Sequence, residues 1–195
     1  MLRIAGGAGG GQRADEFGLI TPLSMTQQVL NRAISLAKLK AALFAFLLAL
    51  FILLPALIHL QWVTGPTVNA MLFIATVILG PTQAMLLGLM PSSVALSTGL
   101  LPLPLAPMVP FIMISNALLV MVFEYTYRKN PIIGIVLAAA FKFVFLQAAL
   151  NFIMKSILSS NLTSAMAVMV SWPQFVTALV GGFVAYTFLK SIKKI

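Results

Sequence analysis

The sequence predicts an all-α integral membrane protein, a bundle of six transmembrane helices with both termini in the cytoplasm. The first observation is composition: of the 195 residues, 61% are hydrophobic and only 8% are charged. The second is a stretch, 41–123, that contains no Asp, Glu, Lys or Arg. A soluble domain needs charged groups at its surface, whereas a charge at the centre of a bilayer costs a few kcal/mol or more. The stretch is too long for one span, so its Gly-Pro and Pro-rich sites must divide it into several.

The third observation is where the basic residues fall once six spans are placed. The spans lie at about 41–59, 68–79, 82–98, 108–127, 132–157 and 173–189. This arrangement puts ten of the twelve basic residues on one side: Arg3, Arg13, Arg32, Lys38, Lys40, Arg128, Lys129, Lys190, Lys193 and Lys194. The second span is short, and the alternative is one kinked helix over 68–98, which would divide these residues evenly between the two faces. The positive-inside bias favours six spans, with outer loops at 60–67, 99–107 and 158–172.

The chain divides into three parts. Residues 1–24 are rich in Gly and predict a flexible leader, which is either non-native or loosely selected. Residues 25–40 place apolar side chains at helical spacing, with polar ones between them. This pattern predicts an amphipathic helix at the membrane surface that runs into the first span, the alternative being a soluble helical linker. Residues 41–195 form the six-span membrane domain.

The composition excludes several classes of function. The chain has no Cys and a single His, so the usual ligand clusters for a metal are missing and we expect neither metal nor cofactor. Only three residues are acidic, and no paired carboxylate, Ser/His pair or ATP-binding motif occurs in the membrane part. We therefore expect no catalytic residues and no enzyme. The net charge of +9 sits at span ends, which indicates orientation in the bilayer and not a nucleic-acid partner.

The first span carries a small residue at every fourth position, Ala41, Ala45 and Ala49. On a helix these lie along one stripe, where another helix can approach closely. The stripe is either a docking surface for a partner subunit or ordinary packing inside the bundle.

Taken in order, these features resemble those of the S components of energy-coupling factor (ECF) transporters, the membrane subunits that bind the substrate. The likeness covers about residues 38–195. It rests on six short spans, the Ala stripe, Gly-Pro-Thr-Val-Asn at 65–69 with Leu-Gly-Pro at 79–81, and Pro-Phe-Ile-Met-Ile-Ser-Asn at 110–116. The resemblance implies that Ala41, Ala45 and Ala49 dock on a transmembrane T component driven by two ATPase subunits. It also implies that a vitamin-like solute binds in the outward half, and it leaves the identity of that solute open.

Polar side chains within the spans must find partners or line a cavity, because the bilayer core holds no water. Counted from the inner ends of their spans, Asn116, Lys142 and Thr177 lie at a similar depth near mid-membrane. We predict a solute pocket, open to the outside, with Lys142 at its floor. Its other predicted residues are Asn69, Asn116, Gln147, Asn151, Trp172 and Gln174.

Three of these residues have a second interpretation. Lys142 lies about 140° around its helix from Gln147, so the two do not both point straight into one narrow site. Lys142 either attracts an anionic group of the solute, pairs with Asn116 or a carbonyl as a structural cation, or snorkels towards the inner face. Asn116 either binds the solute or forms a hydrogen bond between helices. Trp172 either stacks on the solute or marks the outer interface.

The sequence thus predicts a subunit in the plasma membrane of a prokaryote, multi-pass, that captures a small solute for ATP-driven import. Its expected partners are the solute, the T component, the two ATPases and the lipid bilayer. Two rival functions stay open: a self-sufficient carrier or channel, and a membrane scaffold that transports nothing.

Overall fold

A computed structural model describes residues 22–58, 60–156 and 168–195, and every regular element in these ranges is a helix. The predicted leader up to residue 21, His59 and the greater part of the predicted loop 158–172 lie outside the described residues. The helices are α1 (Pro22–Leu57), α2 (Gln61–Ile78), α3 (Pro81–Gly88), α4 (Met90–Ser97), a 3-10 helix (Leu103–Met108), α5 (Val109–Thr126), α6 (Pro131–Ser156) and α7 (Trp172–Ser191).

Five helical stretches are long and apolar enough to cross a membrane: Met25–Leu57, Gln61–Ile78, Leu103–Thr126, Pro131–Ile153 and Trp172–Ser191. Large apolar side chains are exposed along them, such as Phe141, Val144 and Val184. Contiguous apolar surface of this kind is unfavourable in water and suits a lipid environment. The all-helical fold with several membrane-crossing helices is therefore confirmed within the described part of the chain, and it is the fold of a multi-pass membrane protein.

The chain divides into two compact units, 1–41 and 42–195. In the first unit, the described side chains from 25 to 40 are all exposed along a continuous helix. The second unit is the helical bundle described below.

Helix α2 begins at Gln61, so the expected loop at 60–67 is wrong, and Pro66 lies inside the helix. Proline removes one backbone N–H and disturbs the turn before it. Nearby side chains bond to carbonyl groups of this first part: Thr64 Oγ1 donates to Ile58 O at 2.9 Å, Thr67 Oγ1 to Val63 O at 2.8 Å and Asn69 Nδ2 to Gly65 O at 2.9 Å. These bonds stabilise a helical turn that the Gly-Pro dipeptide alone does not predict.

Gly80 and Pro81 reverse the chain between α2 and α3. Gly80 has φ +106°, a conformation open to glycine, and Pro81 starts α3, where a missing N–H is harmless. Gly88 of α3 lies beside Leu72 of α2, at the same distance in sequence from the turn. Helix α3 therefore runs back along α2, and one kinked helix over 68–98 does not fit this contact.

The predicted span 82–98 is divided into α3 and α4 at Leu89, just before Pro91. The expected loop at 99–107 contains the 3-10 helix, which leads directly into α5. Thr98, after α4, donates a hydrogen bond to Pro55 O near the end of α1 at 3.2 Å. The ends of α1 and α4 therefore meet. They lie with the starts of α2 and α7, where the rings of Trp62 and Trp172 are 5.6 Å apart. We call this the Trp end.

The opposite end collects five of the seven basic residues in 42–195; Lys142 and Lys155 lie further along α6. Gly134, at the start of α6, packs on Thr126 and Tyr127 at the end of α5. Gly182 of α7 packs on Ile135 of α6, so the last turns of α7 lie at this end as well. The basic end therefore carries these side chains: Arg128, Lys129, Lys190, Lys193 and Lys194.

Helices α2 and α7 lie in unusually close contact through small residues. A Cβ atom added at Gly181 would collide with the backbone oxygen of Pro66 and lie 2.8 Å from Ala70 N. One added at Gly65 would lie 2.9 Å from Thr177 Cγ2. Small residues allow such backbone approach in membrane bundles, and here it brings Asn69 of α2 beside Thr177 of α7.

Candidate functional site

The side chain of Lys142 is the centre of the site. It comes from the middle of α6 and is only 2% exposed. Its Nζ atom donates hydrogen bonds to Asn69 Oδ1 and Asn116 Oδ1, each at 2.8 Å. The ammonium group therefore joins α6 to α2 and α5, and its two partners are uncharged amide oxygens.

Both asparagines are held in one orientation by their own donors. Asn116 Nδ2 donates to Gly88 O at 2.8 Å, the carbonyl at the end of α3. Asn69 Nδ2 donates to Gly65 O at 2.9 Å and approaches Thr177 Oγ1 at 3.5 Å. The broken helix α3–α4 and the α2–α7 contact thus point both Oδ1 atoms at Lys142, which preorganises the site.

A cavity of about 100 Å³ lies between this polar layer and the Trp end. That space is enough for several water molecules or a small solute. Its wall is made of these residues: Pro55, Gln61, Thr64, Gly65, Val68, Asn69, Pro91, Ser92, Ala95, Leu100, Leu101, Ile112, Asn116, Lys142, Met169 and Gln174.

Hydrogen bonds connect the elements around the mouth of the cavity. Gln61 Nε2, at the start of α2, donates to Met169 O at 2.6 Å, and Gln174 Nε2 of α7 approaches the same oxygen at 3.4 Å. Since Asn69 follows Gln61 by eight residues on α2, the floor lies about 12 Å below the mouth at 1.5 Å per residue.

Four of the seven predicted site residues line this cavity: Asn69, Asn116, Lys142 and Gln174. Two interpretations of Lys142 that seemed to be alternatives describe the same geometry, because its ammonium pairs with Asn116 and also lines the cavity. That these residues bind a solute stays a prediction.

The structure places the other three predicted residues outside the cavity wall. Asn151 is exposed on α6, one turn beyond Gln147. Gln147 is half-buried, and its Oε1 has no hydrogen-bond partner among the described residues. Trp172 is half-exposed against Trp62 at the Trp end. The 140° angle between Lys142 and Gln147 explains why one face of α6 cannot present both.

Sequence reasoning missed Ser92 and Thr64, and it did not select Gln61 as a binding residue. Ser92 is 6% exposed in the wall, and its Oγ has no hydrogen-bond partner within the described ranges. One feature of the sequence could have indicated Ser92, because it directly follows Pro91 inside an apolar span. A helix that is broken near a proline exposes polar groups to a cavity.

Two further groups lie away from the cavity. Ala41, Ala45 and Ala49, the predicted docking stripe, are each exposed on α1. Glu124 accepts a hydrogen bond from Arg128 at 3.0 Å, which raises the pKa of the guanidinium. Glu124 is the only acidic side chain in the part of the chain that the structure describes.

Fold and site together define a multi-pass helical membrane protein with a small polar-floored cavity. Comparisons with protein families, curated proteins and solved structures give no match for this chain. Its function is therefore argued from the site.

Proposed function

We propose that the chain is the solute-binding membrane subunit of an ECF-type importer. The observation that carries the proposal is the buried amino group of Lys142 on the floor of a cavity, with only neutral amide oxygens as partners. An ionisable group within a membrane-crossing helix is expensive to bury, and such groups generally mark a path or a site for a solute. A solute that enters from the Trp end would reach Lys142 through the cavity.

The proposed topology has six spans, counting α3 and α4 together as one, with both termini in the cytoplasm of a prokaryote. Two observations support it. Helix α3 runs back along α2, and five of the seven basic residues in 42–195 collect at one end. The positive-inside bias then puts the basic end in the cytoplasm and the Trp end outside. Reporter fusions at Lys129 and at the carboxyl terminus should both report cytoplasm, and an external signal from either overturns the topology.

Energy for import would come from partner subunits, because the sequence contains no ATP-binding motif. The proposed partners are a transmembrane T component and two ATPases. The exposure of Ala45 and Ala49 on α1 supports docking at this stripe, since small residues permit close approach of another helix.

Co-purification tests the proposal. The tagged full chain, isolated from its native membrane, should bring down a T component, two ATPases and one small molecule. Ala45→Trp should abolish the complex and leave solute binding intact, whereas Val184→Trp, on an exposed position of α7, should change neither. If Ala45→Trp leaves the complex whole, the docking surface lies elsewhere.

The same preparation separates the rival functions. Transport by the chain alone in vesicles would make it a self-sufficient carrier or channel. The absence of any bound small molecule, together with unchanged uptake in a deletion strain, would make it a scaffold.

A further inference from the structure

We propose that the cavity binds a small aliphatic monocarboxylate, with the carboxylate on Lys142 and a second polar group of the solute on Ser92. This inference rests on the proposed function, because it specifies the chemical class of the solute at the same site. Four features of the described residues support it: the charge balance, the orientation of the amides, the character of the wall and the hydroxyl of Ser92.

When protonated, Lys142 carries a positive charge that has no counter-ion among the described residues. Glu124 is the one acidic side chain there, and it pairs with Arg128 at 3.0 Å. It also lies eight residues beyond Asn116 on α5, about 12 Å along the helix axis. A buried cation is stable when an anion pairs with it, and a bound carboxylate would provide that anion.

The hydrogen bonds of the floor favour an anion over a cation. An ammonium group has three donors, and Lys142 uses two of them on Asn69 and Asn116. No described residue accepts a hydrogen bond from the remaining donor, and Lys142 lines the cavity. Both Oδ1 atoms already accept from Lys142, so a cationic solute that approached them would meet a like charge. One cation with one remaining donor matches a single negative charge better than a doubly charged phosphate.

The wall indicates the body of the solute. No aromatic ring lines the cavity among the described residues, so it offers no stacking platform for a large flat ring. Aliphatic side chains surround the space above the floor instead: Val68, Ala95, Leu100, Leu101, Ile112 and Met169. With a volume of about 100 Å³, this environment suits a short aliphatic chain.

Ser92 supplies a second polar contact. Its hydroxyl is buried in the wall and bonds to no other described residue. Since a buried hydroxyl is normally paired, a hydroxyl or carbonyl group on the solute is a suitable partner. A solute with a polar group some distance from its carboxylate would use both contacts.

Three probes with one body and different head groups test this assignment: hexanoate, hexanamide and hexylamine. The purified full chain is titrated with each, and dissociation constants are taken from the rise in unfolding temperature. We expect hexanoate to bind at least tenfold more tightly than hexanamide, and hexylamine to bind most weakly. Lys142→Gln, which keeps a donor and removes the charge, should abolish the preference. Lys190→Gln, which changes an exposed lysine at the basic end, should preserve it.

Equal affinity for hexanoate and hexanamide overturns the assignment, as does an unchanged preference in a folded Lys142→Gln variant. If that variant does not fold, the wild-type ratio alone decides. Mass spectrometry of the solute retained from native membranes separates this inference from the proposed function. A retained carboxylate supports both, whereas a neutral or cationic solute overturns only the monocarboxylate. No retained solute and no response to any probe overturn both.

Discussion

The polar layer around Lys142 separates two halves of the bundle that are built from the same helices and packed differently. Towards the basic end, Phe73 and Phe123 are at most 1% exposed, and their rings lie 4.7 Å apart edge to face. Towards the Trp end, a second apolar cluster that includes Leu105, Met108 and Leu146 is fully buried. Beside it, α2, α4, α5 and α7 enclose a cavity with polar groups in its wall. Lipid is as apolar as a core side chain, so stability in the first half depends on close packing. The difference between the halves is therefore the cavity: only the half towards the Trp end combines a packed core with space for a solute.

The two halves are linked through glycine. Gly181 lets α7 lie directly on α2, and that contact places Asn69 beside Thr177 at the level of the polar layer. Changes in the packed half should therefore reduce stability, and changes in the cavity half should alter binding. The four predictions below test this division, beginning with the largest expected effect.

Phe123→Ala should have the largest effect, because it removes a ring that contacts Phe73 and Tyr127 and leaves a void. We expect the free energy of unfolding to fall by about 3 kcal/mol. Unfolding in detergent measures it, with solute binding per folded molecule unchanged. Tyr125→Ala, on the same helix but 81% exposed, is the control and should change little. Equal losses in both variants would mean that the packed half is not the source of stability.

Gly181→Ala should reduce the free energy of unfolding by about 2 kcal/mol, since the new Cβ meets backbone atoms of α2 that cannot move aside. Because the helices must separate, Asn69 should shift and solute binding should weaken as well. Val184→Ala, at an exposed position of α7, should affect neither property. A Gly181→Ala variant as stable as the wild type would contradict the close α2–α7 contact.

Asn116→Asp tests the charge of the layer, because it places a carboxylate beside Lys142 within the protein. This internal anion should compete with an anionic solute, so we expect binding to weaken at least tenfold, about 1.4 kcal/mol. Asn151→Asp introduces the same charge on the exposed side of α6 and should leave binding unchanged. Binding titrations of the two variants measure the affinity for the solute. Tighter binding in Asn116→Asp would indicate a cationic solute.

Ser92→Ala should have the smallest effect, and its two consequences have opposite signs. Removing a buried hydroxyl that has no partner among the described residues should raise the free energy of unfolding by about 1 kcal/mol. Loss of the second polar contact should weaken solute binding by about threefold. The neighbouring Ser93 is exposed, so Ser93→Ala is a closely matched control. Weaker stability and unchanged binding in Ser92→Ala would remove this residue from the site.

The helical fold could be predicted from sequence because burial in lipid imposes long apolar stretches, and Gly80-Pro81 ends one helix and starts the next. The segment 60–67 was predicted incorrectly because Pro66 usually interrupts a helix. In the structure, Thr64, Thr67 and Asn69 bond to nearby backbone carbonyls and keep that segment helical. Such compensation depends on side-chain geometry that a dipeptide signal does not contain.

The site was predictable where depth could be counted along an unbroken helix. Asn116 and Lys142 were expected at one level, and their side chains lie 2.8 Å apart. Ser92 could not be placed in this way, because the break at Leu89 shifts the face that α4 presents. For Gln147 and Asn151, depth was a poor guide, since the rotation of α6 turns them away from Lys142.

The central claim is that Lys142 holds a solute in the cavity, and native mass spectrometry of the detergent-solubilised chain tests it most directly. Lys142→Met keeps the length of the side chain and removes its charge, while Lys190→Met removes an exposed charge as a control. We expect one small anionic molecule per wild-type chain and per Lys190→Met chain, and at least tenfold lower occupancy in folded Lys142→Met. Equal occupancy in all three proteins, or no bound molecule in the wild type, would contradict it.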